Sequence, residues 1–219
     1  MMAMTAILMI DMQKMYFEQD KRDVFGWPPI WRLGEVIEEC RQLLAAGRAA
    51  GMPVIYTRAV SRPDGADAMP SMRRLLASTA DGAAAMASRN GALLEIMNEV
   101  APVPGDIVID KPRWDAFHFT ELEPILRNLK VQRLIIAGLQ TNVCVETTAR
   151  TAMMRNFEVA VPEDAVSTDG IPLHFNALDA MRVLYIEIAP WRELAAPDAP
   201  WNRAFTTPNY GRTEPTRLV

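Results

Sequence analysis

Short, continuous runs of apolar residues are the feature that most constrains how this chain can fold. The first run, residues 5–10, is continuous rather than alternating between apolar and polar positions. Such a run is typical of a parallel strand buried on both faces of a sheet, because an alternating pattern would leave one face in water. Over residues 33–50 the apolar positions instead recur at helical spacing, and the Gly-Met-Pro sequence at 51–53 ends this helix.

The alternation of strand and helix continues to residue 189. Strands are predicted at 5–10, 53–57, 106–110, 133–137, 158–161 and 183–189, and helices at 33–50, 120–129, from an N-cap at Thr141 or Asn142 to 156, and from near His174. Six strands separated by helices predict a three-layer αβα domain with a doubly wound, mostly parallel six-stranded sheet of the Rossmann-like kind. Residues 60–90 are expected to form irregular loop and a short helix.

Composition limits the classes of protein to which the chain can belong. Its 219 residues, half of them apolar, suffice for one domain, which we place at 1–190. A formal charge of −4 gives no basic excess, so neither nucleic acid nor an anionic membrane is expected as a partner. Residues 191–219 are rich in proline and polar residues and are expected to wrap a partner subunit or to be partly disordered.

Two cysteines provide neither a disulfide framework nor a CxxC motif, which favours a reduced, cytoplasmic setting. The apolar start of the sequence lacks a basic segment and leads directly into Asp11, so we interpret it as a strand rather than a signal peptide. No apolar run approaches the roughly 20 residues of a membrane span.

Residues that follow the strands are the candidates for chemistry, because ligands of open α/β sheets bind outside the carboxyl ends of the strands. These residues are Asp11, Arg58, Lys111 and the turn 138–144, which ends in Cys144. The first turn of a helix and a neighbouring lysine would both lower the pKa of the Cys144 thiol. Asp11 would accept the thiol proton and later return it to a leaving amine.

Each of these residues also has a purely structural interpretation. A cysteine in an apolar helix is most often an inert core residue, and this is our interpretation of Cys40. An aspartate or lysine at a strand end is usually a solvated loop residue. Asp11 and Lys111, however, both follow strands that should flank the strand before Cys144, and this convergence favours function.

Several segments resemble the isochorismatase-like cysteine hydrolases, in the right order over about residues 5–190. They are AILMIDMQ at 6–13, PGDIVIDK at 104–111 with Phe117 beyond it, GLQTNVCV at 138–145, and His174 with Ala177 and Leu178. The resemblance implies a catalytic triad of Asp11, Lys111 and Cys144. It also implies a cis peptide between Leu139 and Gln140 that aims the amides of Gln140 and Cys144 at the substrate oxygen as an oxyanion hole.

By this resemblance, Cys144 attacks an amide or ureido carbonyl and a covalent thioester forms and is hydrolysed, with no cofactor. Members of the family that cleave vinyl ethers have aspartate in place of Cys144, so the cysteine favours hydrolysis of a C–N bond. Nicotinamidases resemble the chain too, but they bind a metal through histidines after the second strand, and residues 58–67 contain none. With only His118 and His174 in the chain we predict no metal, and a metal-free nicotinamidase stays open. Both histidines are interpreted as packing or structural residues.

The stretches at 110–114 and 141–148 are most similar to the ureido and carbamoyl hydrolases, which act on ureidoacrylate, biuret or N-carbamoyl amino acids. Trp114 would then stack on a planar ureido group, with Phe17 and Phe117 as pocket walls, although ordinary core packing explains such aromatics equally well. Arg58 is either a clamp for a substrate carboxylate or a surface residue.

The resemblance also favours a homo-oligomer, a dimer or tetramer, with Trp191, Trp201 and Phe205 as subunit contacts. The Trp27–Trp31 loop is interpreted as an active-site lid or an oligomer contact. A different class of hypothesis is a non-catalytic member of the fold that binds a small molecule or a partner; the complete Asp11, Lys111 and Cys144 set argues against it.

Overall fold

Seven strands form one sheet in the computed structural model, which describes residues 4–17, 28–62, 64–77, 91–196 and 199. Every pairing between these strands is parallel. The strands are β1 (Met4–Ile10), β2 (Val54–Ala59), β3 (Ile107–Lys111), β4 (Val131–Leu139), β5 (Glu158–Pro162), β6 (Val166–Ser167) and β7 (Glu187–Ala189).

Six helices connect or follow these strands in the described ranges. They are α1 (Leu33–Ala49), α2 (Pro70–Ala77), α3 (Leu122–Asn128), α4 (Glu146–Met154), α5 (Ile171–Arg182) and α6 (Trp191–Leu194). A π-helical turn, Thr141–Val145, immediately precedes α4. The longest of these helices, α1, has 17 residues, and none in the described part of the chain has the length and apolarity needed to cross a bilayer.

The strand order is β3-β2-β1-β4-β5-β7, with β6 paired to the end of β4. The chain therefore builds the sheet outward in one direction from β1 and in the other direction from β4, so the order reverses between these two central strands. This arrangement confirms the predicted doubly wound, mostly parallel α/β fold.

The core lies in two layers, one on each face of the sheet. Side chains of a strand alternate between its faces, and accordingly Ala6, Leu8 and Ile10 of β1 pack with α3, α4 and α5, whereas Ile7 and Met9 pack with α1 and α6. Helices on both faces explain why residues 6–10 of β1 and 134–139 of β4 are continuously apolar: neither side of these segments contacts water.

The structure differs from the sequence prediction mainly at the ends of elements. β2 and β3 extend further than expected, so Arg58 and Lys111 are strand residues rather than residues that follow a strand. α5 begins at Ile171, before the expected start near His174, and the last strand is confined to Glu187–Ala189. The two-residue strand β6 adds a seventh strand that is too short to produce a periodic signal.

Helix α6 begins one residue after the predicted end of the domain at residue 190. Trp191 and Leu194 are 8% and 1% exposed, and the Trp191 indole donates to Glu39 Oε2 at 2.6 Å. Trp191 therefore packs inside its own chain, which contradicts its expected role as a subunit contact. Trp201 and Phe205 lie outside the described residues.

Candidate active site

The triad predicted from the sequence comes together on one face of the sheet, at the point where the strand order reverses. Asp11 directly follows β1, and Cys144 lies in the π-helical turn that follows β4. Lys111 is the last residue of β3, which lies two strands from β1 and does not flank β4 as the sequence predicted. Its long side chain reaches across β2. All three residues are buried, with exposures of 0% for Asp11, 1% for Lys111 and 6% for Cys144.

The Lys111 ammonium group connects the other two residues. Its Nζ lies 2.7 Å from Asp11 Oδ2 in an ion pair, donates to Cys144 Sγ at 3.4 Å, and donates to the carbonyl oxygen of Arg113 at 3.0 Å. Two hydrogen bonds and one ion pair surround the ammonium group, so its position is fixed by hydrogen bonds as well as by charge. Lys111 thus holds the carboxylate and the sulfur at one point in space.

Backbone and side-chain contacts from β2 orient the Asp11 carboxylate. Asp11 has a φ of 50°, and its N–H donates to the carbonyl oxygen of Thr57 at 3.2 Å. The Thr57 hydroxyl donates to Asp11 Oδ1 at 2.7 Å. Asp11 Oδ2 faces the Lys111 ammonium group in the ion pair and accepts no hydrogen bond of regular geometry within the described ranges.

The Gln13 side chain links the chain beyond Asp11 to β2 by a hydrogen bond. Its Oε1 accepts a hydrogen bond from the N–H of Ala59 at 2.7 Å, and its Nε2 donates to the carbonyl oxygen of Leu94 at 3.0 Å. Sequence reasoning did not assign a role to Gln13 or to Thr57. The available signal was that both are polar residues at the ends of buried strands.

The turn between β4 and Cys144 begins with a close approach of two backbones. Gly138 has a φ of 106°, and a Cβ at this position would lie 2.2 Å from the carbonyl oxygen of Ile10. No other residue type fits there without moving β1 or β4 apart. The peptide bond between Leu139 and Gln140 is cis, at the position that the resemblance implied.

The π-helical turn wraps around the carbonyl oxygen of Gln140, which accepts from the N–H groups of Val143 at 3.0 Å and Val145 at 3.1 Å. The turn has no side-chain cap, so the predicted N-cap at Thr141 or Asn142 is wrong. The Thr141 hydroxyl instead contacts His174 Nδ1 at 2.9 Å. This contact assigns His174 a partner in the active-site turn that sequence reasoning did not find.

The sequence predicted a lowered pKa for the Cys144 thiol, and this prediction is wrong for the arrangement in the structure. Burial and then the adjacent Asp11 carboxylate raise the pKa of Cys144 to about 12, against the opposing effect of Lys111. For Lys111, burial favours the neutral amine, but Asp11 and Cys144 outweigh it and the pKa is raised. The resting site therefore holds a neutral thiol beside a charged ion pair.

The structure does not bring Arg58 to this cluster. Thr57 and Lys111 point to the face of the sheet that carries Cys144, and Arg58, the next residue after Thr57, points to the other face. Its guanidinium group is bound by Asp110 of β3, with Nε–Oδ1 at 2.6 Å and Nη2–Oδ2 at 2.9 Å.

The three predicted aromatic pocket residues lie in different surroundings. Phe117 is 6% exposed and packs on Phe157 with ring centroids 5.9 Å apart, which is ordinary core packing. Phe17 is partly buried and lines a shallow recess with Met97 and Asn98 that does not include the triad. Trp114 follows Lys111 by three residues and is 47% exposed, unlike Phe117.

The remaining sequence candidates are placed as follows. Cys40 is fully buried and donates to the carbonyl oxygen of Ala165 at 3.3 Å, as a core residue would. His118 stacks on Phe119 at 4.1 Å, and Trp31 packs on His174 at 5.2 Å. Trp27 lies outside the described residues. Within those residues, no group of three or more His, Cys, Asp or Glu side chains is arranged to hold a metal ion.

Known proteins resemble this chain in sequence and in fold. The sequence pattern of the isochorismatase domain matches residues 5–193. The chain belongs to the isochorismatase family. A ureidoacrylate amidohydrolase RutB from Pantoea ananatis is 30% identical over 176 residues, which cover 76% of this chain and 70% of that protein. The corresponding protein of Methylorubrum extorquens is 32% identical over 181 residues, covering 77% and 71%.

Solved structures of the isochorismatase family share the fold. A cysteine hydrolase from Pseudomonas syringae pv. phaseolicola superposes with a TM-score of 0.76 and 28% identity, covering 87% of this chain and 90% of that one. These matches confirm the predicted family and the predicted class of enzyme, a hydrolase of C–N bonds.

Proposed function

We propose that the chain is a cysteine-dependent amidohydrolase that cleaves a C–N bond in a small amide, ureido or carbamoyl compound. The observation that carries this proposal is the position of Lys111 Nζ, which contacts Asp11 Oδ2 and Cys144 Sγ together in a buried site. A carboxylate beside a thiol supplies a base for the attack, and the ammonium stabilises the anion that the attack creates.

In the first step, Cys144 Sγ attacks the substrate carbonyl carbon while its proton moves to Asp11. Because the pKa of the thiol is raised to about 12, a free thiolate is scarce at neutral pH, and transfer of the proton during attack avoids forming it beforehand. The C=O bond becomes a C–O⁻ single bond, and this oxygen is the group to which the amides of Gln140 and Cys144 would donate.

In the second step, the tetrahedral intermediate collapses and the C–N bond breaks. Asp11 returns the proton to the departing nitrogen, which leaves as ammonia or an amine, and the carbonyl remains on sulfur as a thioester or S-carbamoyl group. Water then attacks this carbonyl, Asp11 accepts a proton from the water, and the C–S bond breaks. The sulfur regains its proton, and Lys111 stays positively charged throughout.

A ureido or carbamoyl substrate is the class best supported by the relatives and by the surroundings of the triad. The two relatives above are named for hydrolysis of ureidoacrylate, whose ureido group is planar. Trp114, exposed beyond Lys111, offers a flat ring for stacking on such a group. A small-molecule substrate is consistent with the family; the homo-oligomer and the cytoplasmic location stay predictions from the sequence.

Ammonia release from a panel of compounds tests this proposal. The panel is ureidoacrylate, biuret, an N-carbamoyl amino acid, nicotinamide and a simple aliphatic amide, each with the wild-type protein and with Cys144→Ala. We expect turnover of at least one ureido or carbamoyl compound by wild type alone, and a mass adduct on Cys144 when the reaction is quenched early. Activity that survives in Cys144→Ala contradicts the proposal, as does tight binding of a panel compound without turnover.

A further inference from the structure

The segment from β6 to the start of α5 lies alongside the active-site turn and contacts its residues in order. β6 pairs in parallel with the last two residues of β4, Gly138 and Leu139. Beyond β6, Asp169 Oδ2 accepts a hydrogen bond from Gln140 Nε2 at 3.3 Å. The residues on both sides of the cis peptide are therefore held from the same direction by one continuous stretch of chain.

His174, in α5, contacts the next residue of the turn, Thr141. Its Nδ1 lies 2.9 Å from the hydroxyl oxygen of Thr141, and the two residues are 2% and 0% exposed. The imidazole ring packs against Trp31, at 5.2 Å, and Phe175, at 5.0 Å, and these two rings also contact each other at 5.6 Å. These rings fix the orientation of the imidazole, so the Nδ1 atom is presented to Thr141 rather than free to rotate away.

The direction of this hydrogen bond follows from burial. Within the described residues, the hydroxyl of Thr141 has no polar partner other than Nδ1, and a buried hydroxyl that donates to nothing is costly. The hydroxyl therefore donates, Nδ1 accepts, and the ring proton resides on Nε2. Burial, with a smaller contribution from Arg32, lowers the pKa of His174 to about 4, so the ring is neutral and able to accept at neutral pH.

The Trp31 segment before α1 is fastened to the same stretch of chain. The N–H of Trp31 donates to the carbonyl oxygen of Thr168 at 2.9 Å, and the Ser167 hydroxyl donates to the carbonyl oxygen of Trp31. The ring that packs on His174 is thus held by its own backbone. This gives part of the Trp27–Trp31 loop a role in supporting the active-site turn.

We propose that His174 is a positioning residue for the π-helical turn at the proposed oxyanion hole. It acts by accepting a hydrogen bond from the Thr141 hydroxyl. Thr141 is the first residue after Gln140 and the first of the turn that contains Cys144. A fixed Thr141 side chain sets the direction of the backbone amides of Gln140 and Cys144, the two proposed donors to the substrate oxygen. His174 touches no reacting atom in this account. The kinetic part of this inference rests on the proposed function.

Two matched pairs of variants test the positioning role. Thr141→Ser keeps the hydroxyl and Thr141→Val removes it at similar volume; His174→Asn places an acceptor near the position of Nδ1 and His174→Gln places one near Nε2. We expect Thr141→Val and His174→Gln to lower kcat roughly 10- to 100-fold, because small displacements of a catalytic group have effects of this size. We expect KM to change by less than about threefold and the other two variants to keep at least about a third of wild-type kcat.

The double variant shows whether Thr141 and His174 act together or affect kcat independently. If the two residues act as one unit, Thr141→Val with His174→Gln has a kcat close to that of the slower single variant. If the kcat losses of the two single variants multiply in the double variant, the inference is wrong. Wild-type kcat in a folded Thr141→Val protein would also overturn it. Circular dichroism at the assay temperature establishes that each variant is folded.

A second measurement needs no turnover, so it separates failure of this inference from failure of the proposed function. The chain has two histidines, so ¹⁵N-histidine NMR gives one signal set for His174 and one for His118. We expect His174 to be neutral with its proton on Nε2, and Thr141→Val, but not Thr141→Ser, to shift its Nδ1 signal and the backbone amides of Gln140 and Cys144. A proton on Nδ1, or unmoved amides in Thr141→Val, overturns the inference even if no panel compound is hydrolysed.

Discussion

The two cysteines of this chain are both buried, on opposite faces of one sheet, and they differ in the charges beside them. Cys40 packs with α1 and donates to the carbonyl oxygen of Ala165. The charged groups that act on it, Asp164 and Glu39, are both acids, and with burial they raise the pKa of its thiol. Cys144 has an acid too, but it also has Lys111 Nζ at 3.4 Å.

This difference shows what separates a nucleophile from a core residue when exposure does not. Burial raises the pKa of both thiols, so neither is a ready thiolate. Only Cys144 lies beside a carboxylate that can take its proton and a cation that stabilises the resulting anion. We expect only the cysteine that has both neighbours, the carboxylate and the cation, to be needed for activity.

Removing each sulfur in turn has the largest expected effect. Cys144→Ala should lower kcat at least about 10³-fold because the attacking atom is lost, with little change in stability. Cys40→Ala should leave kcat within about twofold of wild type and lower the free energy of unfolding by about 1 kcal/mol. Ammonia release and urea unfolding measure the two quantities. A large loss of kcat in a folded Cys40→Ala protein would mean that the two faces are not functionally distinct.

Replacing Lys111 tests the neighbour that Cys40 lacks. Lys111→Met keeps the length of the side chain and removes its charge, so kcat should fall at least about 10²-fold and the free energy of unfolding should fall by about 3 to 5 kcal/mol, since the buried Asp11 is left unpaired.

Arg48→Met is the matched control for Lys111→Met, because Arg48 forms a partly buried ion pair, Nη2 to Asp106 Oδ2 at 2.5 Å, away from Cys144. This variant should lose less stability, as Arg48 is 27% exposed, and should keep kcat. Equal losses of kcat in the two variants would attribute the effect of Lys111→Met to stability alone.

The raised thiol pKa predicts how alkylation of Cys144 depends on pH. With a pKa of about 12, the thiolate fraction increases about tenfold per pH unit from about pH 6 to about pH 9, so the rate of reaction with iodoacetamide should rise across this range without levelling off. Cys40, fully buried, should react only in urea. A plateau near neutral pH would show that the lowered pKa expected from the helix start is correct after all.

The clustering of Asp11, Lys111 and Cys144 was predictable from the sequence because it depends on topology. Carboxyl ends of parallel strands lie along one edge of the sheet whatever the loops do, so Asp11, Lys111 and Cys144 could be brought together without knowing any loop conformation. Their supporting residues were not predictable in this way. Thr57 lies 46 residues from Asp11, and His174 lies 33 residues from Thr141, and no local pattern marks either pair.

The positions of Arg58 and Phe117 were not predictable for a related reason. β2 ends at Ala59, two residues beyond the predicted end at residue 57, so Arg58 is a strand residue. Because strand side chains alternate between the faces of the sheet, Arg58 points to the face opposite Thr57. Phe117 was a candidate for the pocket because of its nearness to Lys111 in sequence, but its packing partner, Phe157, is 40 residues away in sequence and holds it in the core. Sequence distance carried little information about either contact.

Thr57→Val tests one of the residues that the sequence did not reveal. The substitution keeps the shape of the side chain and removes the hydrogen bond to Asp11 Oδ1, so the carboxylate should be less well oriented and kcat should fall about tenfold, with KM nearly unchanged. Thr57→Ser is the control and should retain most of the activity. If Thr57→Val changes KM and not kcat, the hydroxyl contributes to substrate binding and not to the orientation of the base.

Arg58→Ala should have the smallest effect, and it distinguishes the two faces of β2. Arg58 is bound by Asp110 at a partly exposed site, with side-chain exposures of 33% and 47%, on the face opposite Lys111. Because exposed ion pairs contribute little, we expect the free energy of unfolding to change by less than about 1 kcal/mol, and KM for both acidic and neutral panel compounds to stay within about twofold of wild type. Asp110→Ala, which frees the same guanidinium group, should behave alike. A selective rise in KM for carboxylate-bearing compounds in Arg58→Ala would instead support the clamp predicted from the sequence and require the Arg58 side chain to turn towards the face of Cys144 when substrate binds.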